Sequence, residues 1–238
     1  MNMPTQSAPP DADVYRKAAR NFYFAIPLYV LVPVAFWWCL QAAGVPLVGK
    51  AVWLGAAGWV TALVLRGPVI LAVRKQPKAR LERVIVGSSG PLEEGVRVVI
   101  LLATARSLGW SASLGQGWAA VEVVYTLVAG VAQASILTRT DEKAVQAREI
   151  LQQRLGGQAT ANPLYGVLER VAASAFHIGN SLLVAWSPWF ALMTIPLHSA
   201  WNLAAVRILR CGVARAQALN LALGAVVLGS GMMAWWLG

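Results

Sequence analysis

Acidic side chains interrupt a long apolar segment at Gly90-Pro91-Leu92-Glu93-Glu94-Gly95-Val96-Arg97, which continues as Val98-Val99-Ile100-Leu101-Leu102. The whole apolar segment, residues 84–105, is long enough to cross a membrane as a helix. A charged side chain near the centre of a bilayer costs about 2.5–3.5 kcal/mol even on lenient insertion scales. Two carboxylates and an arginine within such a segment therefore indicate a functional site, and the other intramembrane polar residues are interpreted in relation to them.

The composition is that of a membrane protein with several spans. Hydrophobic residues make up 58% of the 238 residues, charged residues only 13%, and the mean hydropathy is +0.58. Soluble domains carry about 25% charged residues. Spans of about 20 residues use almost the whole chain, which predicts one helical bundle. The net charge of +10 comes from basic residues in short loops beside apolar spans, so topology explains it and nucleic acid is not an expected partner.

We predict an all-α polytopic transmembrane helical bundle of about seven spans, at residues 22–43, 51–73, 84–105, 117–137, 167–186, 189–206 and 216–237. Lys50 and Arg106 mark one side of the membrane, whereas most other basic residues fall on the other side. This bias predicts a cytoplasmic N-terminus and an external C-terminus. Residues 1–21 are expected to form a cytoplasmic tail. Residues 22–238 are expected to form one seven-helix domain, with a catalytic core at about 84–206, in the bacterial cytoplasmic (inner) membrane.

Polar residues recur at helical spacing within these spans, and both histidines of the chain are among them. Residues three or four positions apart share one helix face. Three pairs have this spacing: Glu93 with Arg97, His177 with Asn180, and His198 with Asn202. At 1.5 Å per residue from the nearest loops, five side chains lie about 10–20 Å deep. They are Glu93, Glu94, Glu122, His177 and His198.

If these side chains meet, they supply the groups needed to activate water. A buried carboxylate beside an imidazole takes a proton from water and later gives it to a leaving amine. A second imidazole and a carboxamide stabilise the oxyanion of a tetrahedral intermediate. Arg97, one turn from Glu93, would hold the carboxylates in place and offset a buried negative charge.

Each feature taken alone also has a structural interpretation. Glu93 and Arg97 are equally compatible with a buried ion pair that locks helices together. The segment from His198 to Asn202 is compatible with interhelical hydrogen bonding. Arg66, just before Gly67-Pro68, is expected to be a counter-ion to the additional carboxylates.

The order of these motifs resembles the glutamic-type intramembrane proteases, the CPBP superfamily that contains the CAAX-processing and Abi proteases. The likeness is closest to the YhfC branch, and it covers roughly residues 87–202. It includes a glycine-rich segment before a membrane glutamate and a Glu-Arg pair shortly before Phe-His. The matching residues are Glu93-Glu94-x-x-Arg97, Gly115-Gln116-Gly117-Trp118 before Glu122, Glu169-Arg170 before Phe176-His177, and His198-x-x-x-Asn202.

The resemblance implies that Glu93 and His177 activate water and that His198 and Asn202 form the oxyanion site. It implies supporting roles for Glu94 and Arg97, and we place Glu122 in the same supporting set. No metal cofactor is expected; the alternative is zinc held by Glu93, His177 and His198. One departure is Gln116, where the branch often has histidine, so a chemical role of that histidine would put activity in doubt.

Two classes of function remain open from the sequence. The first is an intramembrane endopeptidase that cleaves a membrane-embedded or membrane-proximal peptide, such as a C-terminal tail, a leader or a sorting anchor. Its expected partners are a membrane protein or peptide substrate and the lipid bilayer, with the oligomeric state left open. The second is a non-enzymatic immunity or scaffold protein, or a small-solute transporter, that uses the same polar cluster.

Overall fold

The computed structural model describes residues 12–155, 162–209 and 212–238. All regular secondary structure in these residues is helical, which confirms the all-α prediction. The helices are α1 (Ala12–Ala42), α2 (Gly49–Val73), α3 (Lys78–Gly87), α4 (Ser89–Ala103), α5 (Leu108–Thr138), α6 (Glu142–Leu155), α7 (Leu164–Trp186), α8 (Ala191–Ile208) and α9 (Val213–Leu237), with a 3₁₀ turn at Pro188–Phe190.

Within the described residues, four helices are long and apolar enough to cross a membrane: α1, α2, α5 and α9. Their lengths run from 25 to 31 residues. Helices α4, α7 and α8 cover the other three predicted spans and carry most of the buried polar residues. Helix α4, with 15 residues, is shorter than any of the four apolar helices. The four apolar helices make this a membrane protein by length and composition.

Helices α1 and α5 begin about ten residues earlier than the sequence pattern predicted. Helix α1 begins at Ala12, inside the predicted tail of residues 1–21; residues 1–11 of that tail lie outside the described part of the chain. Helix α5 begins at Leu108 because the Ser107 hydroxyl accepts a hydrogen bond from the Trp110 N–H at 3.3 Å and caps the first turn. The glycine-rich segment is therefore helical.

The third predicted span, residues 84–105, is divided into two helices. Helix α3 ends at Gly87 and α4 begins at Ser89, so α4 has only 15 residues. The predicted span is thus interrupted at Ser88 and is not one continuous helix.

The division is explained by competition for backbone carbonyls. The hydroxyls of Ser88 and Ser89 donate to carbonyls three residues earlier, at 2.9 and 2.8 Å. Pro91 has no N–H to donate to the Gly87 carbonyl, which instead accepts from the Ser199 hydroxyl of α8 at 2.7 Å. Side chains thus satisfy carbonyls that a continuous helix would bond to its own backbone.

Close helix packing brings α4, α5, α7 and α8 together around the polar residues. At Gly90 of α4, a Cβ atom would lie 2.2 Å from the Ile195 carbonyl oxygen of α8. At Gly115 of α5, it would lie 2.6 Å from the Ile178 Cα of α7. Glycine at these positions lets the backbones approach closely, as in other membrane helix contacts.

Candidate active site

Glu94 is the most buried acidic side chain of the cluster, with no accessible surface. Its carboxylate accepts hydrogen bonds from three helices. Arg97 Nε donates at 2.9 Å, Asn180 Nδ2 of α7 at 3.2 Å and His198 Nδ1 of α8 at 2.8 Å. Because Arg97 and Asn180 only donate through these nitrogens, Glu94 is held as an acceptor at the centre of the bundle.

Arg97 is fully buried and connects α4 to α7. Besides its ion pair with Glu94, it donates to the His177 carbonyl at 3.0 Å and to the Ser181 hydroxyl at 2.5 Å. Its guanidinium carbon lies 4.3 Å from the centre of the Trp118 ring, a cation–π contact. Arg97 therefore has the several partners that a buried guanidinium needs.

Glu93 faces in a different direction and has different partners. Its carboxylate forms an ion pair with Arg66 of α2 and accepts from Trp118 Nε1 of α5 at 3.3 Å. Adjacent residues in an α-helix are rotated by about 100° from each other, which sends the two carboxylates to different neighbours.

Arg97 pairs with Glu94, at i,i+3 spacing, and this pair replaces the Glu93–Arg97 ion pair that the sequence left open as one interpretation. Arg97 points toward α7, on the same side as Glu94, so Glu93 is left to pair with another helix. Arg66 is that partner, in agreement with its expected role as a counter-ion.

His177 is held between two charged residues. Its Nδ1 lies 2.9 Å from Arg97 Nη2, and its Nε2 lies 2.7 Å from Glu122 Oε2. A guanidinium has no acceptor, so Nδ1 must be the unprotonated nitrogen. Nε2 therefore carries the proton and donates it to Glu122. This arrangement uses both nitrogens of His177 and places no proton on Nδ1.

His198 has the opposite arrangement. Its Nδ1 lies 2.8 Å from Glu94 Oε1, and because that carboxylate is already paired with Arg97, His198 donates to it. Nε2 then lies 4.0 Å from Glu93 Oε1, beyond direct hydrogen-bonding distance. The His198 ring packs edge-on against Phe176, with centroids 5.2 Å apart. An oriented imidazole thus presents its second nitrogen toward a second carboxylate.

Glu122 and Arg170 extend the polar network toward one end of the bundle. Arg170 Nη1 donates to Glu122 at 2.7 Å, and its Nη2 donates to Glu169 at 2.8 Å. Glu122 thus accepts from both Arg170 and His177. Glu169 is half-exposed, whereas Arg170 is largely buried.

Asn202 lies one turn after His198 on α8 and donates through Nδ2 to the Ser89 hydroxyl at 2.8 Å. The Ser89 hydroxyl in turn donates to the Val86 carbonyl of α3. This contact connects α8 to the division between α3 and α4. Within the described part of the chain, the second N–H of the Asn202 amide has no partner.

A cavity of about 230 Å³, called the central cavity below, lies among these groups. Glu94 and Arg97 contact the lining residues His198 and His177, respectively, from the side away from the cavity. Its lining includes Arg66, Glu93, Glu122, His177, His198 and Asn202. The structure therefore brings all four residues predicted to be catalytic to one cavity, with the three predicted supporting residues beside it or in its wall.

Among the described residues, no group of three His, Cys, Asp or Glu side chains is arranged to hold a metal ion. The alternative zinc set contained Glu93, His177 and His198. In this arrangement His177 offers zinc no free lone pair, because Nδ1 accepts from Arg97 and Nε2 donates to Glu122.

Gln116 does not line the central cavity. Its Nε2 donates to the Pro33 carbonyl of α1 at 2.7 Å. Gln116 therefore connects α5 to α1, and its difference from the histidine of the resembling branch concerns helix packing in this chain.

Sequence reasoning overlooked several partners of the site. Trp118 contacts Arg97 and Glu93, and Arg170 pairs with Glu122, although both were quoted only as part of motifs. Ser181, a partner of Arg97, lies four residues after His177, and this helical spacing was the available signal.

Comparisons of this chain with protein-family models, with curated proteins and with solved structures gave no match. The arrangement of the site is therefore the basis for assigning a function.

Proposed function

We propose that this protein is an intramembrane endopeptidase that uses a carboxylate and an imidazole to activate water. The observation that carries the proposal is the 4.0 Å separation of His198 Nε2 and Glu93 Oε1 at the central cavity. Each group has its own orienting partner, Glu94 for His198 and Arg66 for Glu93. A water molecule fits between two acceptors at this distance and donates one hydrogen bond to each.

The reaction follows from this placement. The water oxygen attacks the scissile carbonyl carbon while one of its protons passes to His198 Nε2 in its neutral form, and Glu93 keeps the other O–H oriented. Glu94 stabilises the resulting imidazolium through Nδ1, as the carboxylate of a catalytic triad does. The proton on Nε2 then passes to the leaving amine as the C–N bond breaks, which regenerates the neutral imidazole.

The oxyanion of the tetrahedral intermediate needs donors that are not already used. Among the described residues, one N–H of Asn202 at the central cavity and the buried Nε of Arg66 have no hydrogen-bond partner. We assign these two groups to the oxyanion. In this proposal His198 accepts the proton from water, in place of His177, to which the resemblance gave that role. His177 instead orients Arg97 and Glu122.

The proposal includes the finer topology. Helices α3 and α4 together, α7 and α8 would add three spans to the four apolar helices, giving seven. The distribution of Lys and Arg supports a cytoplasmic N-terminus and a location in the bacterial cytoplasmic membrane. The resemblance of the motifs to CPBP proteases of the YhfC branch supports the same reaction class, metal-free chemistry and a membrane-proximal peptide substrate.

One observation favours the non-enzymatic alternative. Three of the carboxylates each have an arginine: Glu93 with Arg66, Glu94 with Arg97, and Glu122 with Arg170. Balanced pairs of this kind are also what a structural lock between helices requires. A scaffold, immunity or transport protein would use the network without proteolysis.

The experiment that distinguishes the protease from the non-enzymatic protein is proteolysis by purified protein in lipid nanodiscs. Wild-type protein is incubated with solubilised bacterial membrane proteins, and new peptide termini are identified by mass spectrometry. We expect new termini with wild type and none with Glu93→Gln or His198→Gln. Glu142→Gln, which removes an exposed carboxylate from α6, is the matched control and should retain cleavage. Absence of wild-type cleavage, or cleavage that persists in both site variants, would favour the scaffold.

A further inference from the structure

A second cavity, called the vestibule below, adjoins the central cavity. Its volume is about 330 Å³, and it is partly open to the surface. It lies among α1, α5, α7 and α9. Its lining includes Phe22, Tyr29, Gln133, Tyr165, Glu169 and Gln217.

The two cavities follow one another along the same helices. On α5, Thr126 lines the vestibule and Glu122, one turn earlier, lines the central cavity. On α9, Gln217 lines the vestibule and Asn220 the central cavity. Glu169 of α7 lines both. The vestibule therefore adjoins the central cavity, and Glu169 lies at the junction, in the wall that the two cavities share.

The junction carries excess negative charge. Arg170 is shared by two carboxylates, Glu122 and Glu169, and His177 contributes no compensating charge because its Nδ1 accepts from Arg97. These three charged groups sum to one net negative charge. Among the described residues, the vestibule lining contains no Lys or Arg, although the chain as a whole has a net charge of +10. A cation is therefore favoured here over an anion.

The other polar groups of the vestibule suit a peptide backbone. Gln133 and Gln217 offer amide donors and acceptors, and Thr126 offers a hydroxyl. Phe22 and Tyr165 add aromatic surface. Such a lining, mostly uncharged and able both to donate and to accept, matches an extended chain whose own N–H and C=O groups need partners.

We propose that the vestibule is the access route by which an extended peptide with a basic side chain reaches the central cavity, and that Glu169 binds that side chain. Binding exchanges the partner of Glu169 from Arg170 to the substrate cation, while Arg170 stays paired with Glu122. This proposal names the substrate class of the proposed protease and rests on that function. The access route and its preference for cations are measurable without proteolysis.

The test uses cysteine reporters in a background in which Cys39 and Cys211 are replaced by serine. One reporter, Gln133→Cys, is in the vestibule, and two, Ala173→Cys and Ala205→Cys, are in the central cavity. Each is modified with small methanethiosulfonate reagents carrying a trimethylammonium or a sulfonate group. At each reporter, the modification rate with the cationic reagent is divided by the rate with the anionic reagent. This ratio is then divided by the same ratio measured at Lys143→Cys, on the exposed face of α6.

We expect the normalised ratio at Ala173→Cys to favour the cation by about tenfold, the lower end of the enhancement in clefts of one charge sign. Glu169→Gln should bring the ratio close to one, whereas the matched control Glu142→Gln should leave it unchanged. Prior attachment of a bulky maleimide at Gln133→Cys should block modification of the central cavity in the double-cysteine protein. The second reporter, Ala205→Cys, repeats the measurement if Ala173→Cys does not fold.

The proposal is overturned if central-cavity reporters react equally before and after the vestibule is blocked, or if Glu169→Gln leaves the charge ratio unchanged. Proteolysis is scored separately. Cation-selective access through the vestibule without any new peptide termini would contradict the protease while supporting the route. Cleavage sites without a nearby Lys or Arg would contradict the substrate class while leaving the protease intact.

Discussion

His198 donates its Nδ1–H to Glu94 at 2.8 Å while its Nε2 lies 4.0 Å from Glu93. Two carboxylates that are neighbours in sequence thus face the two nitrogens of one imidazole, one within hydrogen-bonding distance and the other beyond it. Glu94 orients the ring from behind the wall of the central cavity, and Glu93 faces its free nitrogen. This difference leads to different expectations for the two glutamates.

Glu94→Gln is expected to destabilise the protein, and Glu93→Gln to inactivate it. Glu94 and Arg97 are both fully buried, and removing one member of a buried ion pair costs about 3–5 kcal/mol. Arg66, the partner of Glu93, is 27% exposed, so water compensates part of the loss. Thermal unfolding in detergent measures the first effect and proteolysis the second. Equal destabilisation by both variants would contradict this division.

The neutral forms of the two histidines are expected to carry the proton on different ring nitrogens. His177 should carry its proton on Nε2 because Arg97 donates to Nδ1, and His198 on Nδ1 because Glu94 accepts from it. Nitrogen-15 NMR of histidine-labelled protein distinguishes the forms. The chain has only two histidines, so His177→Gln assigns the signals. The same tautomer at both positions is the result that conflicts with the site described above.

Arg66→Gln is expected to lower the cleavage rate by about 10²-fold, the loss typical of a displaced catalytic group. Arg66→Lys should restore part of the rate, because a cation remains beside Glu93. Rates are compared on a substrate identified by terminal proteomics. A rate for Arg66→Gln equal to that of wild type would show that Arg66 does not serve the reaction.

Gly90→Ala is expected to separate α4 from α8. The new methyl group would lie 2.2 Å from the Ile195 carbonyl oxygen, and overpacking of this kind costs about 1–3 kcal/mol. Gly95→Ala is the matched control on the same helix, because a Cβ there meets no atom of the described residues within 4 Å. Unfolding temperature and cleavage rate should both fall for the first variant only. An unchanged Gly90→Ala protein would argue against the close contact of α4 and α8.

Chelation is expected to leave proteolysis unchanged. The proposed water activation uses His198 and Glu93, and His177 has no free nitrogen for zinc. Purified protein is assayed with and without 1,10-phenanthroline, and its zinc content is measured by mass spectrometry. Loss of activity with phenanthroline, restored by added zinc, would instead establish the zinc alternative.

The helical class and the set of polar residues at the site follow from local sequence. Long apolar stretches require helices in which the backbone satisfies its own hydrogen bonds. Helical spacing placed Glu93, His177 and His198 each on one helix face with a second polar residue. The counter-ion role of Arg66 also follows, because an isolated charge in such a helix needs a partner.

The pairing of these groups depends on contacts between helices that are distant in sequence. Arg97 pairs with Glu94 because the carbonyl of His177 and the hydroxyl of Ser181, about 80 positions away, draw it toward α7. The division between α3 and α4 likewise depends on Ser199 of α8. Helical spacing allows both Glu93 and Glu94 to reach Arg97, and only the neighbouring helices select between them.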